Sequence, residues 1–280
     1  MIGNVKNVFV AVTKQFGPAE TSFALPYGLS LAHRADAHTT VQASSVRLKL
    51  PFNWANGLVW DLVQAENRRL EALVETVAQT ARADAAAAGI ICSTETPQLS
   101  YPDLLASFTA QARVHDLAVL DAEPESIALD RAVVETLLLD SGRPLIIVPA
   151  GHDVCRSRRV IVAWDGSAKA ARATGDALPF LKDAEAVEIV SVTGEKDLPD
   201  ALMGADLAPC LARHGIRVSV NSLDAADGDV AATLRSHAVG FGADLLVMGG
   251  FVHSRLHETV FGGVTRSLLD HCPVPLFMSH

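Results

Sequence analysis

Aromatic residues make up only 5% of this 280-residue chain, so its interior has to be built mainly from Val, Leu, Ile and Ala. No uninterrupted apolar segment is long enough to span a bilayer, so no membrane partner is expected. Runs of Lys or Arg are also missing, and the formal net charge is −9. Such a chain repels phosphate backbones, which argues against nucleic acid as a partner. A small phosphate ligand stays open, because backbone N–H groups can hold one without net positive charge. Cysteine is scarce and scattered: Cys92, Cys155, Cys210 and Cys272 form no Cys-x-x-Cys pair. Neither a zinc site nor a disulfide framework is expected; the four read as small buried hydrophobes in a reducing compartment. The chain runs directly into Val8-Phe9-Val10-Ala11-Val12 without the features of a secretory signal, and a cytoplasmic protein is expected. Ser167 follows Asp165 and Gly166, but no Gly-x-Ser-x-Gly elbow surrounds it and no nucleophile–base–acid set stands out. The expectation is a binding protein, not an enzyme.

What is present is a repeat. Lys6-Asn7-Val8-Phe9-Val10-Ala11-Val12-Thr13 reappears as Arg158-Arg159-Val160-Ile161-Val162-Ala163-Trp164-Asp165. Asp116-Leu117-Ala118-Val119-Leu120 reappears as Asp244-Leu245-Leu246-Val247-Met248, and Arg143–Val148 more loosely as Cys272–Phe277. Three matched segments in one order indicate a duplication, with domains at 1–150 and 158–280 joined around Ala150 to Ser157.

In each half, short apolar runs alternate with helical patterns. In the second half the pattern predicts strands at Val160–Ala163, Val187–Val192, Val218–Leu223, Leu245–Met248 and Val274–Met278. Helices are expected at Ala168–Phe180, Ala205–His214, Val230–Val239 and Val264–Leu269. The first half repeats the plan with a longer second helix, about Leu58 to Ala88, whose apolar face reads Leu70, Leu73, Val77, Ala81, Ala85 and Ala88, with Gly89 as its stop. Apolar strands alternating with helices imply a doubly wound α/β fold. Two tandem parallel-sheet domains of flavodoxin- or Rossmann-like order 3-2-1-4-5 are expected, related by a pseudo-twofold. The residues just after Val162 and just after Met248 should then meet across one crevice at the switch point.

After the fourth strand of the second half comes Gly249-Gly250-Phe251-Val252-His253-Ser254-Arg255, and later Phe261-Gly262-Gly263-Val264-Thr265. Glycines at both ends suit a loop that folds back and delivers amides to one place. Gly262 and Gly263 lead into a helix whose free N–H groups favour an anion. His253, Ser254 and Arg255 could add contacts to phosphate oxygens.

This stretch resembles the nucleotide-binding loop of the universal stress proteins, Gly-x2-Gly-x9-Gly-Ser/Thr, in the tandem two-domain bacterial form. Gly249 matches its first glycine and Gly262 its third, and Val264 and Thr265 stand where that loop enters the last helix. Asp165, in Val162-Ala163-Trp164-Asp165-Gly166-Ser167, matches the family's strand-end acid near the adenosine. The resemblance further implies that Met248 and Val192 line an adenine pocket. It implies an adenine nucleotide (ATP, ADP or AMP, with Mg as a candidate companion) as the small-molecule partner. It also implies that the halves pair through their last strands, Leu145–Val148 beside Val274–Met278; a further homodimer is left open. Two departures weaken the motif: Val252 replaces the second glycine, and Gly263 replaces the Ser/Thr. In the first half Thr13 replaces the acid and Asp121-Ala122-Glu123-Pro124-Glu125 replaces the loop, so no nucleotide is expected there.

Plainer readings stand beside these. The glycine loop could be a mere connection, and Asp165 could cap the helix from Ala168. His253 and His257 are four apart but lack a third metal ligand. Trp54 and Trp60 could mark an apolar pocket or simply cover core. Three functions follow: a stress-response sensor or regulator binding an adenine nucleotide in the C-terminal half, a nucleotide-free interaction module of the same fold, or a slow metal-dependent nucleotide hydrolase using Asp165.

Overall fold

The computed structural model describes residues 2–14, 21–49, 57–122, 129–193, 204–225, 228–250 and 263–280. Val252, His253, Ser254, Arg255 and Gly262 of the expected site lie outside the described residues, as do Trp54 and His257.

The first half runs β1 (Asn7–Lys14), α1 (Ala24–Ala35), β2 (His38–Val46), α2 (Gly57–Ala87), β3 (Cys92–Glu95), β4 (Gln98–Leu99), α3 (Tyr101–Arg113), β5 (Leu117–Asp121), α4 (Leu129–Asp140) and β6 (Leu145–Val148). The second runs β7 (Arg159–Ala163), α5 (Ala168–Asp176), α6 (Leu178–Asp183), β8 (Ala186–Thr193), α7 (Leu207–Arg213), β9 (Val218–Asp224), α8 (Val230–Phe241), β10 (Leu245–Gly249), α9 (Gly263–Asp270) and β11 (Leu276–Ser279). Among the described residues, no helix is long and apolar enough to cross a membrane.

The strands form one sheet in the order β3-β2-β1-β5-β6-β11-β10-β7-β8-β9, with β4 beside β2. Each half therefore has the order 3-2-1-4-5, and all pairs within a half are parallel. At the seam β6 and β11 run antiparallel, with Phe277 opposite Ile146 and flanked by Leu276–Ile147 and Met278–Leu145.

Alternation along the strands divides the core into two layers. Leu245 and Val247 of β10 point to the layer under α1, α2, α5, α6 and α7; Leu246 and Met248 point to the layer under α3, α4, α8 and α9. A carboxylate repeats in both halves just before the fourth strand. Asp116 Oδ2 accepts from the amides of Lys6 (2.7 Å) and Asn7 (2.9 Å), and Asp244 Oδ2 from those of Arg158 and Arg159 (both 3.0 Å). Each thereby fixes where the first strand of its half begins.

Three expected elements differ in detail. The single helix over Ala168–Phe180 is two helices, because Pro179 lacks an amide and α5 closes at Ala177 before α6 restarts over the proline. The last strand begins at Leu276, not Val274, since Pro273 and Pro275 cannot donate to a ladder. On α2 the inner row is Leu70, Val74, Ala78, Ala81 and Ala85; Leu73 and Val77 lie at its margin, and Ala88 is exposed beyond the helix end. Gly89 does stop the helix, at φ +69°.

Candidate functional site

The crevice of the second half starts where β7 ends. Beyond Ala163 the chain turns through Trp164, Asp165 and Gly166, the last at φ +73°, which glycine adopts without strain. Asp165 Oδ1 accepts from the Ser167 amide at 3.0 Å, and Ser167 Oγ accepts from the Ala170 amide at 3.1 Å. The helix cap is therefore Ser167, and Asp165 braces the cap.

The end of β10 meets this turn. A Cβ on Gly249 would come within 2.6 Å of the Ala170 nitrogen and 2.7 Å of the Lys169 carbonyl carbon. Only glycine lets the strand end press against the start of α5. Gly250 packs on the opposite side: its amide donates to the Ser279 carbonyl at 2.8 Å, and a Cβ there would lie 2.5 Å from Leu138 Cδ2, the end of a side chain of α4. Gly250 thus belongs to the contact between the two halves.

Four of the expected residues converge. Ala163 from β7, Val192 from β8, Met248 from β10 and Val264 from α9 pack on one core layer at the carboxyl ends of the strands, together with Leu223 and Val230. Trp164 packs on the other layer, away from them. At the start of α9, Gly263 is exposed with open space beside it, whereas Thr265 is buried.

Several residues that the sequence did not mark belong to this end of the sheet. Thr193 Oγ1 donates to Asp224 Oδ1 at 2.8 Å, joining the tips of β8 and β9. Lys169 follows the cap in the first turn of α5, and burial holds its amine below the ordinary lysine range. His280, next to Ser279, is also held low, by burial and by the charge of Lys169. The one available signal was position, since each lies at a strand end, just past one or just past a helix cap.

The first half fills its equivalent crevice with its own side chain. Asp121 corresponds to Gly249. Its Oδ1 accepts from the Phe23 and Ala24 amides and its Oδ2 from Ser22 Oγ, all at 2.7 Å. The N-terminus of α1, which has no side-chain cap at Phe23, is thereby occupied by an internal carboxylate.

A groove of about 540 Å³ lies elsewhere, between Ala122 and Pro149 of the first half and Arg235, Asp270 and Cys272 of the second. None of the expected ligand residues among the described ones lines it. Burial pushes the Cys272 thiol up to about 11, which leaves it protonated and unreactive at neutral pH. Trp60, at the start of α2, is 47% exposed.

Residues 156–280 match the model of the Universal stress protein family. Among solved structures the chain is similar to a universal stress protein from Archaeoglobus fulgidus DSM 4304, at 20% identity and a TM-score of 0.70, covering 97% of this chain and 95% of that one. It is also similar to a functionally unknown protein from Pseudomonas aeruginosa PAO1, at 13% identity and a TM-score of 0.56, covering 99% and 92%. At these identities the likeness is one of fold. A comparison with curated proteins gives no match.

Proposed function

Residues 156–280 belong to the universal stress protein family, and from that premise we propose that this chain is a cytoplasmic stress-response protein whose C-terminal half binds an adenine nucleotide. The observation that carries the reading is the shared apolar floor of Ala163, Val192, Met248 and Val264 at the carboxyl ends of the strands. Ligands of doubly wound sheets bind at that end, beside the switch point. An adenine ring needs such a surface, and the open start of α9 at Gly263 offers amides to its phosphates. Binding would act by linkage, the nucleotide favouring the chain state it fits best.

The test is calorimetric titration with ATP, ADP and AMP, alongside mass spectrometry of small molecules released from the purified protein. Ala163→Leu, which fills the floor at a half-buried position, is expected to abolish binding while leaving the circular dichroism spectrum unchanged. No heat with any of the three nucleotides at millimolar concentration, and nothing released, would sink the proposal.

A second reading, a nucleotide-free interaction module, is favoured by one observation. Gly249 is required by close packing against the backbone of α5, and Gly250 packs against the side chain of Leu138, so their presence needs no ligand. On that reading the empty result above is the expected one.

A further inference from the structure

The last helix, α9, is eight residues long, and of its side chains only Thr265 and Leu268 are buried. Helices this short are marginal in water, so packing and bonds from outside set their direction. Its last turn carries no basic residue and ends on Asp270, an acid at the negative end of the dipole. The missing cation comes from α8. Arg235 Nη1 donates to Ser267 Oγ at 2.8 Å and to the Ser267 carbonyl, one of the last four of the helix, at 3.1 Å. The helix that carries this arginine is itself tied down. Asp229 caps its start by accepting from the Ala232 amide at 2.8 Å. Leu234 and Ala238 are buried beneath it, and His237 donates to the Glu188 carboxylate of β8.

We propose that Arg235 is a positioning residue for the phosphate end of the nucleotide site, holding the C-terminus of α9 so that the amides at its start face the ligand. This role rests on the nucleotide reading above. The helix is about 12 Å long, so a tilt at its anchored end is passed on to Gly263. Backbone amides favour an anion only where they point at it. The apolar floor depends less on α9. Ala163, Val192 and Met248 come from strands and Val230 from α8, and Val264 is its one residue from α9. Loss of Arg235 is therefore felt by the phosphates and hardly by the base. The first half supplies an internal control. There Arg113 of α3 donates to the Asp140 carbonyl at the end of α4, at 3.2 Å from Nε and 3.0 Å from Nη2. The bond is of the same kind, but Asp121 fills the crevice of that half.

Calorimetric titration of the full chain with ATP and with adenosine, on the native protein, Arg235→Gln and Arg113→Gln, is the test. Arg235→Gln is expected to weaken ATP about tenfold while adenosine stays within about twofold of the native value. Arg235→Lys, which keeps a donor and the charge, should recover part of that loss. Arg113→Gln should leave both ligands unchanged. Should Arg235→Gln misfold, Ser267→Ala decides, since it removes one acceptor and keeps a residue that suits a helix. Its loss should again fall on ATP and not on adenosine. An Arg235→Gln protein that binds ATP like the native one overturns the role of the arginine and leaves the nucleotide reading standing. So does an equal loss of ATP and adenosine, or an equal loss of ATP in Arg113→Gln. A native protein that binds neither ligand is instead the failure of the nucleotide reading, and this role falls with it.

Discussion

Asp121 carries the chemistry that separates the two halves. Burial raises its carboxyl above the usual carboxylate range, against the opposing pull of Ser22, the amides of Ala24 and Phe23, and the charge of Lys14. A group whose folded value is raised contributes stability that is full below its unfolded pKa, near 3.9 for an aspartate. That contribution is lost as pH rises through the folded value. Measured by urea unfolding, Asp121→Asn should therefore gain on the native protein as pH increases from about 4, then level off. The opposite slope would mean that the three hydrogen bonds outweigh burial. Asp121→Ala removes the acceptor altogether and orphans two amides at the start of α1; a loss of about 2–4 kcal/mol is expected at neutral pH. The sequence did announce an acid at this position, and an acid does repel phosphate. What it could not reveal is that the carboxylate turns inward onto a helix start almost a hundred residues earlier in the chain, because that contact exists only once β5 and α1 lie side by side.

At the level of elements, most of what periodicity can encode was legible. Strand positions followed from runs such as Val160–Ala163, where apolar residues face both layers, and the helix stop at Gly89 followed from its backbone freedom. The break between α5 and α6 is not in the expected pattern although Pro179 stands in view, because the Ala-rich run before it reads as one helix up to Phe180. Gly249 and Gly250 read in the sequence as glycines of a ligand loop, whereas Gly249 closes β10 and the packing of the two is against α5 and α4. That distinction can be tested. At Gly249 an added methyl meets the backbone of Lys169 and Ala170, which cannot move without shifting the helix cap. At Gly250 it meets the end of the Leu138 side chain, which can rotate. Gly249→Ala should cost about 1–3 kcal/mol and Gly250→Ala clearly less, read from urea midpoints at constant slope. Equal costs would show that both sites give way by side-chain movement.

For the whole molecule, the duplication was legible because Asp116 and Asp244 precede matching strands, and both bind the amides that open the first strand of their half. The pairing of the last strands was implied by the family resemblance, whereas the side-chain part of the lock was not legible, since no local pattern marks a contact across more than a hundred residues. The lock has two parts. Leu145, Ile146 and Ile147 face Leu276, Phe277 and Met278 across the seam, all buried, so the join is core and not a surface contact. Beside it, Arg34 of α1 donates to the Cys155 carbonyl at 2.8 Å and to Ser157 Oγ at 3.1 Å, and forms an ion pair with Asp183 of α6. A continuous core implies that the halves unfold together, and one coincident transition by fluorescence and circular dichroism is the expected result. The arginine should matter more than its acid. Arg34→Ala leaves the Cys155 carbonyl and Ser157 without this donor and takes the guanidinium away from Asp183, a loss of about 2–4 kcal/mol. Asp183→Asn removes the negative charge but leaves the guanidinium its two remaining acceptors in the segment between the halves, and should cost less. If the two variants cost the same, the ion pair alone holds α1 to α6, and the bonds to Cys155 and Ser157 contribute little to joining the halves.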